Sequence, residues 1–163
     1  MSVGCVLVAN AGLHRASWAH ADSYLARGEG LSGGDYWPCD YGLALSRPFS
    51  ALRVWATFKA YGSEGLRRVV EGLLHHAELF QSLLLDSERF DVLHRDSFVV
   101  VFRNRDSAVE PAAFARMLQL SGRAVLSTVE MNSAVYLRAC FMNHRTEERH
   151  VRDLARMIIE EYT

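Results

Sequence analysis

The chain has 163 residues, of which 50% are hydrophobic and 23% are charged, a balance typical of globular domains. A formal net charge of −1, and the absence of an apolar run as long as a membrane span, give no reason to expect nucleic acid or a membrane as a partner. The three cysteines are far apart and form no CxxC pair, which argues against a disulfide framework and favours a reducing cytoplasm.

The first 48 residues predict one strand and one long loop. Residues 3–9 form a short apolar run, which indicates a buried strand. Residues 11–45 have neither a helical nor a strand period and are rich in glycine, which predicts a loop. Loops longer than about 12 residues are usually lids, binding loops or disordered segments. Because a single strand cannot pair its own backbone, we expect this third of the chain to belong to something larger.

Two helices are predicted next. Residues 49–61 are almost wholly apolar, which predicts a helix buried on most sides. A break containing Gly62 and Gly65 follows, with Ser63 as a candidate N-cap. From Leu66 onward the apolar residues recur at helical spacing, so an amphipathic helix is expected to about residue 85.

The remaining sequence alternates between strand and helix patterns. A helix is predicted at 111–120, with proline at its first position, and a last helix is predicted with Thr146 as its N-cap. The pattern from about residue 63 therefore predicts an α+β domain with helices on one face of an antiparallel sheet. The predicted strands are 90–94, 98–102, 125–129 and 135–141.

Two motifs resemble those of one enzyme family. The stretch SRPFSALRVW at 46–55, followed by FKAYG at 58–62, is similar to a motif in the C-terminal part of the group II pyridoxal-phosphate (PLP) decarboxylases. The stretch VYLRACFMNHRT at 135–146 resembles the last strand of that family and its turn into the final helix. The resemblance begins at about residue 4 and continues to the C-terminus.

The resemblance implies a fold and a domain organisation. The expected fold class is the α+β C-terminal small domain of a fold-type I PLP enzyme, an antiparallel sheet with helices, preceded by one strand and the lid loop of the large domain. Residues 1–48 correspond to that strand and lid, residues 49–62 to an inter-domain helix, and residues 63–163 to the small domain.

The same resemblance implies roles for three residues, and a fourth is a candidate because it stands close to one of them in the sequence. Tyr24, followed by a leucine as in the family, stands where the lid carries its catalytic tyrosine, whose hydroxyl is the general acid that protonates the substrate carbon after CO₂ leaves. Ser46 and Arg47 stand where the family contacts the partner subunit's cofactor phosphate, and Ser46 also where it contacts the substrate. His20, four residues before Tyr24, is a candidate substrate contact. Each residue also has a purely structural alternative. Tyr24 could be a half-buried aromatic and Ser46 a turn residue. Arg47 could be a buried, ion-paired arginine and His20 an ordinary loop histidine.

Three further family features bear on the chemistry and on the site. Phenylalanine at the lid position diverts the family's product to an aldehyde, so Tyr24 favours simple decarboxylation. The residue at Ser46 is serine in histidine-type and glycine in aromatic-type enzymes. Pro48 departs from the second arginine that is common in the family.

The adjacent histidines at 75 and 76 lack the i, i+4 spacing of a zinc site, so no metal is expected.

The lysine that anchors the cofactor is not matched. In the family it lies in a His-Lys pair shortly before the strand that corresponds to residues 3–9. Lys59 is the only lysine of the 163 residues, and its position after the Arg-Phe motif is not catalytic in the family. The resemblance therefore implies PLP as cofactor, anchored on an N-terminal partner chain in a dimer of heterodimers.

Three hypotheses follow for the function. The first is the C-terminal subunit of a split decarboxylase that acts on an amino acid or a carrier-bound aminoacyl group. The second is a non-catalytic association or scaffold module derived from a truncated decarboxylase. The third is a fragment of a longer enzyme. Retention of the lid segment favours the first, because a scaffold has no need of a glycine-rich lid.

Overall fold

The computed structural model describes residues 3–19, 37–44, 46, 48–94 and 98–163. They divide into two compact units, Met1–Ala60 and Tyr61–Thr163. Within these described ranges, no helix has both the length and the apolar character needed to cross a membrane. In chain order the elements are α1 (Ala11–Trp18), a 3₁₀ helix (Pro38–Tyr41), α2 (Ser50–Asp86), β1 (Phe90–His94), β2 (Val99–Asn104), α3 (Pro111–Leu120), β3 (Ser127–Met131), β4 (Ala134–Cys140) and α4 (Glu148–Glu161).

The second unit contains a four-stranded antiparallel sheet with the order β1-β2-β4-β3. Side chains on successive strand residues point to opposite faces, so Val100, Phe102 and Asn104 of β2 share one face and all three are buried. Phe102 is paired with Leu137 of β4, which is also fully buried. The predicted α+β domain is confirmed, and its four strands lie within two residues of their predicted bounds.

One apolar core joins this sheet face to all three helices of the unit. Phe80 of α2 meets Phe102 edge-on, with ring centroids 5.4 Å apart. Phe114 of α3 stacks on Tyr162, which follows α4, at 4.5 Å. Each fully buried aromatic ring of this size contributes roughly 1.5–3 kcal/mol to stability, so these contacts fix the helices on the sheet.

Helix α2 is interrupted at Gly62, whose φ of 67° and ψ of 169° lie outside the helical region. A residue with a Cβ would be strained in this conformation, so glycine meets a backbone requirement here. The predicted break is confirmed. Beyond it, Ala77, Phe80 and Leu84 form the buried stripe of the predicted amphipathic helix, which ends at Asp86.

The predicted bounds of α3 are confirmed, but the predicted N-cap of α4 is wrong. Thr146 does not cap the helix, because its N–H donates to the carbonyl of Asn143 (2.9 Å) and Thr146 therefore belongs to the preceding turn. Glu147 is the N-cap, with φ −115° and ψ 159°, and its carbonyl accepts from the N–H of His150 (3.0 Å).

Two predictions for the first unit are also corrected. Residues 3–9 form no strand, because a strand requires a hydrogen-bonded neighbour and none of the described residues pairs with this segment. Residues 11–18 form α1 instead of a loop, and the side chain of Asn10 caps this helix by accepting from the N–H of Leu13 (2.9 Å). The assignment of residues 1–48 and 49–62 to parts of a larger enzyme stays a prediction.

The predicted helix at 49–61 exists but is not buried within this chain. It begins at Ser50 and continues into the rest of α2. Its largest apolar side chains are exposed by about half or more, including Trp55 at 59% and Phe58 at 53%. Such a surface is unusual on a monomer and marks an interaction site when the exposed residues are contiguous.

The buried side chain of Asn104, at the end of β2, forms a hydrogen bond with the backbone near the C-terminus, and this contact can be tested by substitution. Nδ2 of Asn104 donates to the carbonyl of Tyr162, and Oδ1 accepts from the N–H of Asp106 (2.9 Å). Asn104→Ala leaves these groups without their partner, so we expect the free energy of unfolding to fall by about 1–3 kcal/mol. Chemical denaturation of the full chain measures it. Gln119→Ala, on the exposed side of α3, is the control and should stay within about 0.5 kcal/mol. Equal effects of the two substitutions would contradict the prediction.

Candidate active site

Two short helices flank the segment in which the candidate lid tyrosine lies. α1 ends at Trp18 and is followed by Ala19, whose N–H donates to the carbonyl of Arg15 (2.8 Å). The 3₁₀ helix starts at Pro38, where the fixed φ of proline suits a first helical position. These two helices are therefore the described elements nearest to residues 20–36 on either side.

The two flanking helices contact each other. Arg15 of α1 pairs with Asp40 of the 3₁₀ helix at 3.4 Å, and Asp40 is only 1% exposed. His14 meets the Tyr41 ring edge-on, with centroids 5.4 Å apart. A buried carboxylate requires such partners, because burial of an unpaired charge is costly. The described residues on either side of the segment are thus tied together.

The structure describes one of the four sequence-predicted site residues. Ser46 is exposed and lies shortly before α2, where the N–H of Ser50 donates to the carbonyl of Pro48 (2.7 Å). Tyr24, His20 and Arg47 lie outside the described residues. The structure therefore does not test whether these four side chains come together, and their roles stay predictions.

Lys59 does not fit the role of cofactor anchor. Its Nζ lies 5.7 Å from the ring centroid of Trp55, one helical turn earlier on α2, and the residue is exposed to solvent. An anchored PLP needs a lysine in a pocket that also orients the ring and excludes water. The described residues alone consequently do not provide a complete PLP site.

A cleft of mixed polar and apolar lining, which the sequence did not predict, lies in the second unit. It encloses about 390 Å³ and is lined by Arg123, Cys140, Thr146 and His150 among others. The Nε of Arg138 donates to Sγ of Cys140 (3.2 Å). In the described part of the chain, no group of three or more histidine, cysteine, aspartate or glutamate side chains is placed to hold a metal ion. The alternating pattern of residues 134–140 predicts the strand β4, but it does not predict that α4 packs beside the end of this strand. The sequence therefore contained no signal for the cleft.

Hydrogen-bonded ion pairs border the cleft and the start of α4. A bidentate bond from Arg123 to Glu161 (2.7 Å for the longer contact) raises the pKa of Arg123 and lowers that of Glu161. Hydrogen bonds from Arg149 lower the pKa of Glu147. These carboxylates are exposed, so the pairs orient side chains and contribute little stability.

The turn between β4 and α4 carries the second family-like motif. Oδ1 of Asn143 accepts from the N–H of Arg145 (3.0 Å), and its carbonyl accepts from Thr146. Asparagine is favoured in such turns because its side chain can imitate a backbone acceptor. The motif therefore has a local structural reason as well as a family resemblance.

An antiparallel sheet covered on one face by three helices defines the second unit as an α+β domain of the kind found in solved PLP decarboxylases. The Oryza sativa TDC, solved with PLP and tryptamine, matches with a TM-score of 0.74 over 90% of this chain and 33% of that chain, at 23% identity. The Rhodiola rosea 4-hydroxyphenylacetaldehyde synthase matches with a TM-score of 0.67 at 27% identity, over 74% of this chain and 28% of that one.

The family is shown by the sequence. The model of the pyridoxal-dependent decarboxylase conserved domain matches residues 1–105, so the chain belongs to that family. It is 34% identical over 142 residues to the tyrosine decarboxylase of Oryza sativa subsp. japonica, covering 76% of this chain and 27% of that protein. It is 28% identical over 153 residues to the aromatic-L-amino-acid decarboxylase of Bacillus atrophaeus, covering 88% of this chain and 32% of that protein.

The chain spans about a quarter to a third of the length of these relatives. The family resemblance inferred from the two motifs is confirmed, and so is the assignment to a part of the enzyme. The cofactor of the family is pyridoxal phosphate.

The contact between α1 and the 3₁₀ helix can be tested by substitution. Arg15→Gln removes the charged partner of Asp40. Because Arg15 is about half exposed, we expect a cost of only about 0.5–1 kcal/mol, seen as roughly two- to fivefold faster amide exchange in α1. Hydrogen-exchange mass spectrometry of the full chain measures this change. Arg116→Gln, exposed on α3, is the matched control, and the same acceleration in that variant would argue against the contact.

Proposed function

We propose that this chain supplies the C-terminal part of a PLP-dependent decarboxylase of aromatic amino acids, and that the anchoring lysine is on a partner chain. The match of residues 1–105 to the decarboxylase domain carries the proposal. The names of the relatives, which include tyrosine and aromatic-L-amino-acid decarboxylases, support the substrate class. A carrier-bound aminoacyl group is the alternative form of the substrate.

The exposed surface of the first unit supports a partner chain. Phe49, Leu52, Trp55 and Phe58 are all exposed by about half or more at the start of α2. Residues 3–8 add further exposed apolar side chains, with Leu7 at 93%. Burying such side chains contributes roughly 25 cal/mol per Å² of apolar surface, so association with the rest of the enzyme offers a large gain. An obligate interface of this kind commonly exceeds the standard area of about 1,600 Å².

The lid role of residues 20–36 is part of the proposal. The contacts between α1 and the 3₁₀ helix support it, because a lid must be held at its base to close over one site repeatedly. PLP, when bound, accepts the electrons left as CO₂ departs. Tyr24 then donates its hydroxyl proton to the substrate Cα. A free phenol has a pKa of about 10 and is protonated at neutral pH. In this proposal Ser46 and Arg47 contact the cofactor phosphate, and Ser46 and His20 contact the substrate.

Two questions remain open within the proposal: whether the product is an amine or an aldehyde, and whether the substrate is histidine or an aromatic amino acid. The relatives include enzymes named as aldehyde synthases as well as decarboxylases. Tyr24 favours the amine product, by the family pattern described above. Ser46 is the residue of histidine-type enzymes, whereas the relatives compared above act on aromatic amino acids by their names. A screen of histidine, tyrosine, tryptophan and phenylalanine for CO₂ release decides between these substrates.

A scaffold function is the second candidate. The observation in its favour is the exposed apolar surface at the start of α2, which suits association with another protein and needs no chemistry. A scaffold needs the apolar surface of α2 but not the lid. The two functions therefore differ in whether residues of the segment 20–36 affect turnover in the assembled protein.

The location of the cofactor anchor gives a direct prediction. The chain is co-purified with an N-terminal chain that carries the family's His-Lys pair, saturated with PLP and treated with borohydride, which fixes the cofactor to its lysine. We expect the label on the N-terminal chain alone, because Lys59 is exposed and lies beside Trp55. Peptide mass spectrometry locates the label.

Lys59→Arg is the control for this experiment. It keeps the positive charge above the Trp55 ring but removes the amine that could react with PLP. The variant should retain the PLP absorbance and the turnover of the complex. A borohydride label on Lys59, or loss of PLP in the variant, would contradict the proposed location of the anchor.

The role of Tyr24 gives a second prediction. Tyr24→Phe in the same complex removes one hydroxyl and keeps the ring, so we expect stability to change by no more than about 0.5 kcal/mol. Amine formation should fall by roughly 10²-fold or more, the usual scale for loss of a general acid. Under air, part of the remaining flux should appear as aldehyde, ammonia and peroxide. Chromatography of amine and aldehyde measures both outcomes.

Tyr61→Phe is the matched control, because Tyr61 is an exposed tyrosine on α2. It should leave the rate and the product unchanged. A scaffold function predicts no effect of either substitution. Wild-type amine formation by the Tyr24→Phe complex would end the catalytic assignment, while leaving the family membership of the chain intact.

A further inference from the structure

The first turn of α4 contains a histidine that accepts a backbone hydrogen bond. The N–H of Glu147, the N-cap residue, donates to Nδ1 of His150 at 3.1 Å. His150 is the third residue of the helix, where glutamate or glutamine usually makes this bond in a capping box. A backbone N–H can only donate, so Nδ1 of His150 must be unprotonated for the bond to exist.

We propose that His150 makes the start of α4 sensitive to pH: the neutral ring holds the N–H of Glu147, and protonation of the ring releases it. Glutamate and glutamine keep an acceptor oxygen over the physiological range, whereas histidine changes charge between about pH 5 and 8. His150 is exposed, so protons reach the ring without unfolding of the domain.

The sign follows from the donor and acceptor roles. Above the range in which histidine titrates, Nδ1 carries a lone pair and the cap is formed. As the pH falls through that range, Nδ1 gains a proton and faces another donor, so the contact is lost. The N-terminus of α4 should thus be best protected at neutral pH and loosen on acidification.

Charged groups on every neighbouring element act on this turn. On α4 and at its cap these are the carboxylates of Glu147, Glu148 and Asp153 and the guanidinium of Arg149, which is bonded to Glu147. From outside the helix, the cleft brings Arg123 and the thiol of Cys140 to the side that His150 lines. None of them replaces the lost acceptor.

A second histidine acts on the same turn in the opposite sense. Nε2 of His75, on α2, lies 3.1 Å from Oε1 of Glu148, which also pairs with Arg152 at 3.5 Å. Protonation of His75 strengthens its contact with the carboxylate. Acidification is therefore expected to tighten the link from α2 to Glu148 while it releases the cap at Glu147, and the two effects can be separated by substitution.

Hydrogen-exchange mass spectrometry of the full chain at pH 7.5 and 5.5 tests the proposal, after correction for the intrinsic exchange rates. Protection of the peptide that contains Glu147 should fall roughly two- to thirtyfold on acidification, which corresponds to the usual free energy of a lost helix cap. His150→Gln supplies an uncharged acceptor at the same position and should abolish this fall. His75→Gln should retain it.

Each contrary result overturns the proposal. Unchanged protection in the wild type shows that the cap does not respond to pH. An equal fall in His150→Gln shows that another group titrates, and loss of the effect in His75→Gln assigns it to the contact with Glu148. Nitrogen-15 chemical shifts of the His150 ring at pH 7.5 give a test that needs no variant. They should show a proton on Nε2 alone, and a proton on Nδ1 would refute the hydrogen bond itself.

Discussion

The apolar face of the β-sheet has to be covered, and the rest of the second unit depends on how the chain meets this requirement. Phe102 lies at the centre of the sheet, and its ring contacts Phe80 of α2 and Phe90 of β1. Tyr162 extends the same cluster to α3 through its stacking on Phe114. Because the Tyr162 carbonyl also accepts from Asn104 of β2, the last helix is fixed at its C-terminal end by both packing and a hydrogen bond. At its other end, α4 depends on a short turn and an N-cap.

The first unit has apolar surface of the same kind, but its described residues include no sheet that could receive it. Trp55 and Phe58 are exposed on α2, and residues 3–9 have no strand partner. In the proposed function, the hydrophobic effect that organises the second unit within one chain acts on these residues through a partner chain that covers them. The apolar surface is covered in the second unit and exposed in the first. This exposed surface is the reason why the proposed function includes a partner chain.

Local patterns predicted most of the second unit, because its elements form from neighbouring residues. The bounds of β1 and α3 agree with prediction, since alternation, proline at the first helical turn and Gly122 are local signals. Residues 3–9 were predicted wrongly, because strand pairing depends on a segment remote in the sequence. The N-cap of α4 was displaced by one residue, since Asn143 engages Thr146 in the preceding turn. The candidate site could not be derived from pattern at all: Tyr24 has a proposed role only by resemblance to the family.

In the proposed enzyme, the two chemical tasks place different demands on the chain. The cofactor anchor needs a covalent bond, whereas the proton donor needs only to be brought within hydrogen-bond distance of the reacting carbon. A donor on a separate chain can therefore serve, provided that packing locates its backbone accurately, because a displacement of about 1 Å can reduce the rate by 10²-fold. The pairing of Arg15 with Asp40 ties together the described helices on either side of residues 20–36. The exposed apolar residues of α2 would then fix that unit against its partner. If Tyr24 is the proton donor, surfaces that play no chemical part would thus determine whether its hydroxyl can act.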